Sequence, residues 1–326
     1  MFQHLSICPP KQKSSAKSGF EAFYSYYAGF PESFAQPLIA SAGLSRGSVV
    51  YDPWNGSGTT TKSAAALGYR SIGLDINPVM VVISKARLLP MSEIPCLLPL
   101  AREAIHKSRL YESIDSIDPL TQWFSAESSS HLRKLERAIA DLILPSPEEQ
   151  VEYDFDMSGI AACLYVALFA TGKELSKFFR TSNPTWTRKA KSESEKIVIS
   201  ELEVQREFIA QITRLIKAHS GNMSPEINEG ISAIRVGDSV LSDPEIQADL
   251  ILTSPPYCTR IDYTAATCVE LALLSELSGI DVLALGRKML GTPKVTNTIL
   301  EESLLGDLCI DFLHRVKSHT SKEGLK

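Results

Sequence analysis

Ser48 to Asp52 (SVVYD) is a short apolar run ending on an acid, and Asn55 to Gly58 breaks it sharply, the pattern of a buried strand and a tight turn. Thr59 to Leu67 (TTTKSAAAL) continues as a helix with a small, close-packing face. Arg70 to Asp75 (RSIGLD) reads as a second strand, and Pro78 opens a helix running through Val81, Ile83 and Ala86. Strand, helix, strand, helix is the opening of an α/β fold with a doubly wound, Rossmann-like parallel sheet.

From Met91 to Gly230 the pattern turns to long helical periodicity. Leu132, Leu135, Ile139 and Ile143 share one face, and Val198, Leu202, Ile209, Ile212 and Ile216 another. The strand pattern resumes at Ala233 to Val236 and at Asp249 to Thr253 (DLILT), so the middle reads as a helical insertion in a sheet. Three regions are expected: residues 1–90, 91–230 and 231–326. Beyond Tyr257, helical spacing dominates at Ala265 to Leu277, at Asp281 to Leu290, and at Glu301 to Val316 with Leu304, Leu308 and Phe312 aligned. Strand-like scraps occur at Ile280 to Leu283 and Lys294 to Leu300, too few to finish the sheet.

Hydrophobic residues at 44% and charged residues at 22% are ordinary globular usage and exclude fibrous and disordered classes. The formal net charge of −5 gives no global pull toward nucleic acid or an anionic membrane, so a polyanion must be met by a local patch. The six cysteines (Cys8, Cys96, Cys163, Cys258, Cys268, Cys309) form no C-x-x-C pair, which argues against a zinc site or a disulfide framework. Reduced, mostly buried thiols are expected. The N-terminus is too broken by His4, Pro9 and Pro10 for a signal peptide, and no run reaches the roughly 18 apolar residues of a membrane helix. A cytoplasmic protein without metal follows as the expectation.

The turn after the first strand, Asp52-Pro53-Trp54-Asn55-Gly56-Ser57-Gly58-Thr59, has two glycines that bring backbone N–H groups close to a ligand at a helix N-terminus. Asp75, at the end of the next strand, can take both hydroxyls of a ribose. The third glycine of the dinucleotide fingerprint is replaced by Thr61, which argues against NAD, and no Lys-Ser/Thr pair stands at phosphate-loop spacing. A cationic, phosphate-free nucleoside suits the acids, and S-adenosylmethionine meets that description.

Thr253-Ser254-Pro255-Pro256-Tyr257 is the second informative stretch. The two prolines remove two N–H donors and fix the backbone, leaving carbonyls free to accept. The amino group of a nucleobase is a poor nucleophile because its lone pair is delocalised into the ring. The Ser254 hydroxyl and the Pro255 carbonyl can hold its two hydrogens and turn the lone pair toward a methyl donor, with Tyr257 as a stacking face for a flipped base.

On these motifs the sequence resembles the amino-methylating DNA methyltransferases, with their D-P-x-x-G-S-G-T turn and (S/N/D)-P-P-(Y/F) tetrad. The resemblance implies S-adenosylmethionine contacts from Asp52, Pro53, Trp54, Asn55, Gly56, Ser57, Gly58 and Thr59. It further implies a ribose ligand in Asp75, followed by Ile76 and Asn77, and an adenine contact in Asp238 with Ser239. Ser254, Pro255, Pro256 and Tyr257 become the catalytic tetrad. Phe30-Pro31, followed by an apolar helix through Leu38 and Ile39, resembles the family segment that closes over the methionine end of the cofactor. The serine of the tetrad is the version usually associated with cytosine N4, with adenine N6 as the alternative. Trp54 stands where a smaller side chain or Phe is usual. Cys258 follows Tyr257 rather than a proline, so cytosine C5 chemistry is set aside.

Leu175 to Ser192 carries five cations and no acid: Lys177, Arg180, Arg188, Lys189 and Lys191, interleaved with Phe178, Phe179 and Trp186 around a Ser182-Asn183-Pro184 loop. With Arg260 and Asp262 beside the tetrad, this is the expected DNA-contacting set. The insertion is then the target-recognition region. An RNA guanine-N2 methyltransferase and a non-catalytic cofactor-binding subunit stand as alternatives. The few strands after the tetrad suggest a split or truncated enzyme whose sheet is completed by a second chain.

Overall fold

The computed structural model of the chain describes residues 5–11, 19–25, 29–112, 118–144, 157–181, 187–220, 231–242, 247–257, 262–279, 281–289 and 305–319. Two compact units are present, Met1–Thr292 and Pro293–Lys326. The larger begins with helices α1 (Gly19–Phe23) and α2 (Glu32–Ser41), then β1 (Val49–Asp52), α3 (Thr59–Ala66), β2 (Arg70–Asp75) and α4 (Pro78–Arg87). A helical stretch follows: α5 (Leu97–Ser108), α6 (Ala126–Ile143), α7 (Gly159–Leu175) and α8 (Glu201–Ser220). It ends with β3 (Ser232–Val236), β4 (Leu250–Ile251) and the short helices α9 (Tyr263–Ala266), α10 (Cys268–Leu273), α11 (Ser275–Ser278) and α12 (Val282–Lys288). In the smaller unit the described residues include α13 (Gly306–Ser318), on which Leu308 and Phe312 are exposed.

Among the described residues the strands form one parallel sheet in the order β3-β2-β1-β4. Tyr51 of β1 pairs with Ile72 on one side and Ile251 on the other, and Leu74 pairs with Arg235 of β3. All four residues of β1 are buried, as a parallel strand covered on both faces requires. Alternation divides them: Val49 and Tyr51 pack with Ile72 and Leu74, whereas Val50 packs with Ile39 of α2 and Ala64 of α3.

The main core lies in the helices. In α7, every residue from Ala161 to Phe169 is fully buried, because α4, α6, α8 and α10 surround it. A helix apolar on all sides has no amphipathic period to read, which is why this element has no counterpart in the expected pattern. Arg133 of α6 is fully buried and donates to Asp118 (2.8 Å), Glu136 (3.1 Å) and the carbonyls of Ala272 and Leu273 (2.7 Å each). It thus satisfies carbonyls at the end of α10, where helical partners run out.

Several expected boundaries shift. Val198 precedes α8 and is exposed, as is Leu202; the buried face of that helix is Val204, Phe208, Ile212 and Leu215. Residues 265–277 form three short helices rather than one, and Leu283 is helical, not strand. Lys294 to Leu300 lies outside the described residues. Of the cysteines described, Cys163 is buried but Cys96 and Cys309 are exposed, so the thiols are not mostly buried. Among the described residues no group of His, Cys, Asp and Glu could hold a metal, and no helix is long and apolar enough to cross a membrane.

Candidate cofactor and substrate cleft

A cavity opens at the carboxyl ends of the strands, where the sheet order reverses between β1 and β4, the place at which open α/β sheets hold ligands. It is lined by Phe30, by Asp52, Pro53, Trp54, Asn55, Gly56, Ser57 and Thr59, by Asp75, Ile76 and Asn77, by Asp238 and Ser239, and by Ser254 and Pro256. Residues far apart in the chain and singled out on separate motifs thus share one space. Gly58, Pro255 and Tyr257 are not in its lining.

Gly58 has a different task. It starts α3 with φ of +82°, and a Cβ there would lie 2.1 Å from the Ser84 hydroxyl of α4. The residue therefore lets two helices approach, in a conformation that side chains disfavour. Asn55 is buried and also structural: its Nδ2 donates to Ser84 Oγ (2.8 Å) and its Oδ1 accepts from Thr61 Oγ1 (3.0 Å). Thr61, at the missing third glycine, is thereby part of the turn's scaffold.

Asp75 holds the turn in place from below. Its Oδ2 accepts the Gly56 N–H and its Oδ1 the Asn77 N–H, both at 2.8 Å. Each oxygen keeps a lone pair, which a pair of ribose hydroxyls can use. Burial pushes the carboxyl up to about 6 and the Asp52 charge adds to this, against the two backbone hydrogen bonds. Asp52 is raised as well, by burial, although Thr253, Thr60 and the Trp54 N–H favour its charged form.

A buried ion cluster braces the turn's far side. Arg87 Nη1 donates to the Ser57 carbonyl (2.9 Å), while Nη2 meets Glu32 Oε1 (2.5 Å), which also takes Lys62 Nζ (2.7 Å). Burial alone would raise the Glu32 carboxyl, but Arg87 and Lys62 together hold it below its usual range. Glu32 opens α2, so the cluster ties the helix after Phe30-Pro31 to α3 and α4.

The tetrad strand is joined to the same machinery. Thr253 Oγ1 donates to Asp52 Oδ1 at 2.6 Å, and Thr60 Oγ1 donates to the Leu252 carbonyl at 3.1 Å. Ser254 and Pro255 are exposed, and Tyr257 is 64% exposed with its N–H donating to Tyr263 Oη at 3.4 Å. An exposed ring beside a cavity suits a base that enters from solvent.

The expected DNA-contacting set is divided. Lys177 pairs with Glu174 (2.8 Å), and Arg188 pairs with Glu195 (2.7 Å) while lying over Phe178 and Phe179. Arg180 donates to the Lys173 carbonyl (2.8 Å), and Lys189 and Lys191 stand in the same stretch. Phe179 is fully buried, so it is a core residue, whereas Phe178 is exposed. Trp186, Ser182 to Pro184, Cys258 and Arg260 lie outside the described residues.

Residues 3–86 match the family described as DNA methylase. A curated relative, the Type II methyltransferase M.BsoBI of Geobacillus stearothermophilus, is 29% identical over 271 residues, covering 76% of this chain and 51% of its own. Both matches bear out the resemblance to the amino-methylating DNA methyltransferases. The chain spans about half the length of the relative it matches. No solved structure matches.

Against the methyltransferase resemblance, the lining holds further residues that the motifs did not single out for it: Gly29, Thr60, Met80, Gly237, Val240, Tyr263, Lys288 and Met289. Thr253 and Tyr263 flank the tetrad, and their hydroxyls would have been the nearest signal. Asp52, Asp75 and Asp238 stand against one cation in the lining, Lys288, a balance that suits a ligand carrying positive charge. Apolar Phe30, Ile76, Met80 and Val240 give the surface a purine ring needs. The residues present therefore fit S-adenosylmethionine.

Proposed function

We propose that this chain carries the cofactor and target-base sites of an S-adenosylmethionine-dependent DNA methyltransferase acting on an exocyclic amine, cytosine N4 favoured over adenine N6. The observation that carries the reading is the shared cavity: residues of the glycine turn with its two acids, and Ser254 and Pro256 of the strand end, line one space, linked by the 2.6 Å Thr253–Asp52 hydrogen bond. The β3-β2-β1-β4 order supports a Rossmann-like sheet, with residues 1–90 as its cofactor half, 91–230 as the DNA-contacting insertion and 231–326 as the catalytic part.

When bound, the cofactor supplies an electrophilic methyl group on a positively charged sulfur. Asp75 holds the ribose hydroxyls, and Asp238 with Ser239 holds the adenine. The Ser254 hydroxyl and Pro255 carbonyl accept the hydrogens of the target amine and so localise its lone pair on nitrogen. Tyr257 stacks on the flipped base. With its lone pair so localised, the amine nitrogen would be the acceptor of the methyl group that the cofactor, held by Asp75, Asp238 and Ser239, would supply. The surplus proton leaves the nitrogen by way of Ser254 to solvent.

Calorimetric titration tests the cofactor half: S-adenosylmethionine should bind, and neither NAD nor ATP should compete. Binding of either nucleotide in its place would overturn the reading. Among the described residues the outer edge of β4 is unpaired and Ile251 is exposed, which supports a further strand from a second chain. A soluble monomer with full methylating activity, measured by light scattering and methyl transfer, would contradict that addition.

A further inference from the structure

We propose that a second cavity, the cleft between α1, α7 and the last turns of α8, seats the sugar–phosphate backbone of the DNA whose base enters the site described above; the inference rests on that reading. Lys173, Arg180, Arg214 and Lys217 line this cleft, against one acid in its lining, Glu174. Two of these four cations come from α8, which the basic stretch at 175–192 does not include.

The cations differ in how far they are already engaged. Lys173 lies 3.2 Å from Glu270 Oε1 and 4.7 Å over the Tyr24 ring. Arg180 is bonded to the Lys173 carbonyl and stands 3.9 Å from Glu174. Arg214 has Glu207 at 3.6 Å, with its side chain 60% exposed. Lys217 is exposed and has no ion-pair partner among the described residues. Arg214 and Lys217 are three residues apart and so share a helix face with Gln211, which also lines the cleft. Exposed cations in an open cleft, with polar Gln211 at its floor, suit a polymer of phosphates and not an enclosed small anion.

The position of the cleft supports the same occupant. Ser25 lies in it and Gly29, a few residues on, lines the cofactor cavity. Its Lys173 grips Glu270 of α10, and α10 follows α9, whose Tyr263 lines the catalytic cavity. A strand lying along α7 and α8 would therefore run beside the helices that follow the tetrad.

The test is a double variant, Arg214→Gln with Lys217→Gln, in the full chain. Both side chains are exposed, so folding should survive, and unchanged affinity for S-adenosylmethionine checks it. Fluorescence anisotropy with a labelled duplex of about 25 base pairs, followed between 50 and 200 mM salt, reads the number of phosphates contacted, at roughly 0.9 in log–log slope for each. The double variant should bind about tenfold or more weakly, with a slope shallower by about 1.8. If the parent chain binds the duplex and the variant keeps its slope and affinity, the cations serve α7 and α8 alone and the inference falls while the proposed function stands. If the parent chain binds no duplex, the proposed function falls and the cleft with it.

Discussion

Asp75→Asn separates what this carboxylate does for the fold from what it does for the ligand. In the parent chain each oxygen accepts one backbone N–H at 2.8 Å, from Gly56 and from Asn77. The amide keeps one acceptor and sets two donors against the other N–H. Leaving that partly buried donor unmatched costs about 1–3 kcal/mol of stability, and losing a ribose hydroxyl's partner costs cofactor binding a similar 1–3 kcal/mol. Titration calorimetry and denaturant melts measure the two separately. The pH dependence is the sharper readout, because burial has raised the carboxyl from 3.8 to about 6. A raised value means that its contribution to folding is fully present below the unfolded 3.8 and is lost as pH rises through about 6. Cofactor binding needs the charged form and runs the other way, so parent affinity should fall about tenfold per pH unit below 6. The variant should show no such fall. A parent affinity that is flat from pH 7 to pH 5, or a variant that binds as tightly as the parent, would refute the role given to Asp75.

Gly58→Ala should destabilise the chain by about 2–4 kcal/mol, combining a disfavoured positive φ with a steric overlap against Ser84, and a melt unchanged within error would contradict the packing argument. Glu32→Ala strips the carboxylate from Arg87 and Lys62, whose side chains are 3% and 5% exposed, and should cost about 3 kcal/mol in denaturant unfolding. Because the Glu32 carboxyl is held low, that contribution is present above the usual 4.5 and lost as pH falls through the depressed value, so the gap between parent and variant should close in acid. Ser254→Ala should lower methyl transfer at least tenfold while leaving cofactor affinity intact; transfer at the parental rate would remove Ser254 from the chemistry.

The cofactor side of the fold was legible because its signals are local. A strand ending on Asp52, a turn that must visit positive φ at Gly58, and a second strand ending on Asp75 are each written within a few residues. That Ser254 and Pro256 reach the same cavity was legible for the same reason, since two prolines after an apolar strand admit few conformations. What stayed hidden is assembled across distance. Nothing near Glu32, Lys62 or Arg87 announces that they meet, although a lysine on the small-residue face of α3 was a hint of a buried partner. Helix α7 gives no period because it is buried all round, and the expected face of α8 holds at Ile209, Ile212 and Ile216 but not at Val198 and Leu202, which are apolar but exposed. The cationic character of residues 175–192 was read from composition, and the acids that neutralise part of it, Glu174 and Glu195, stand just outside that window.

The central claim is that one cavity brings a methyl donor to the exocyclic amine of a DNA base. Its most direct test is mass spectrometry of nucleosides from DNA incubated with the purified chain and S-adenosylmethionine carrying a heavy-isotope methyl group. The expected result is labelled N4-methylcytosine from the parent chain, below the full rate until a second chain completes the sheet, and its loss from Ser254→Ala. No labelled base in DNA while the cofactor is demonstrably bound would contradict it.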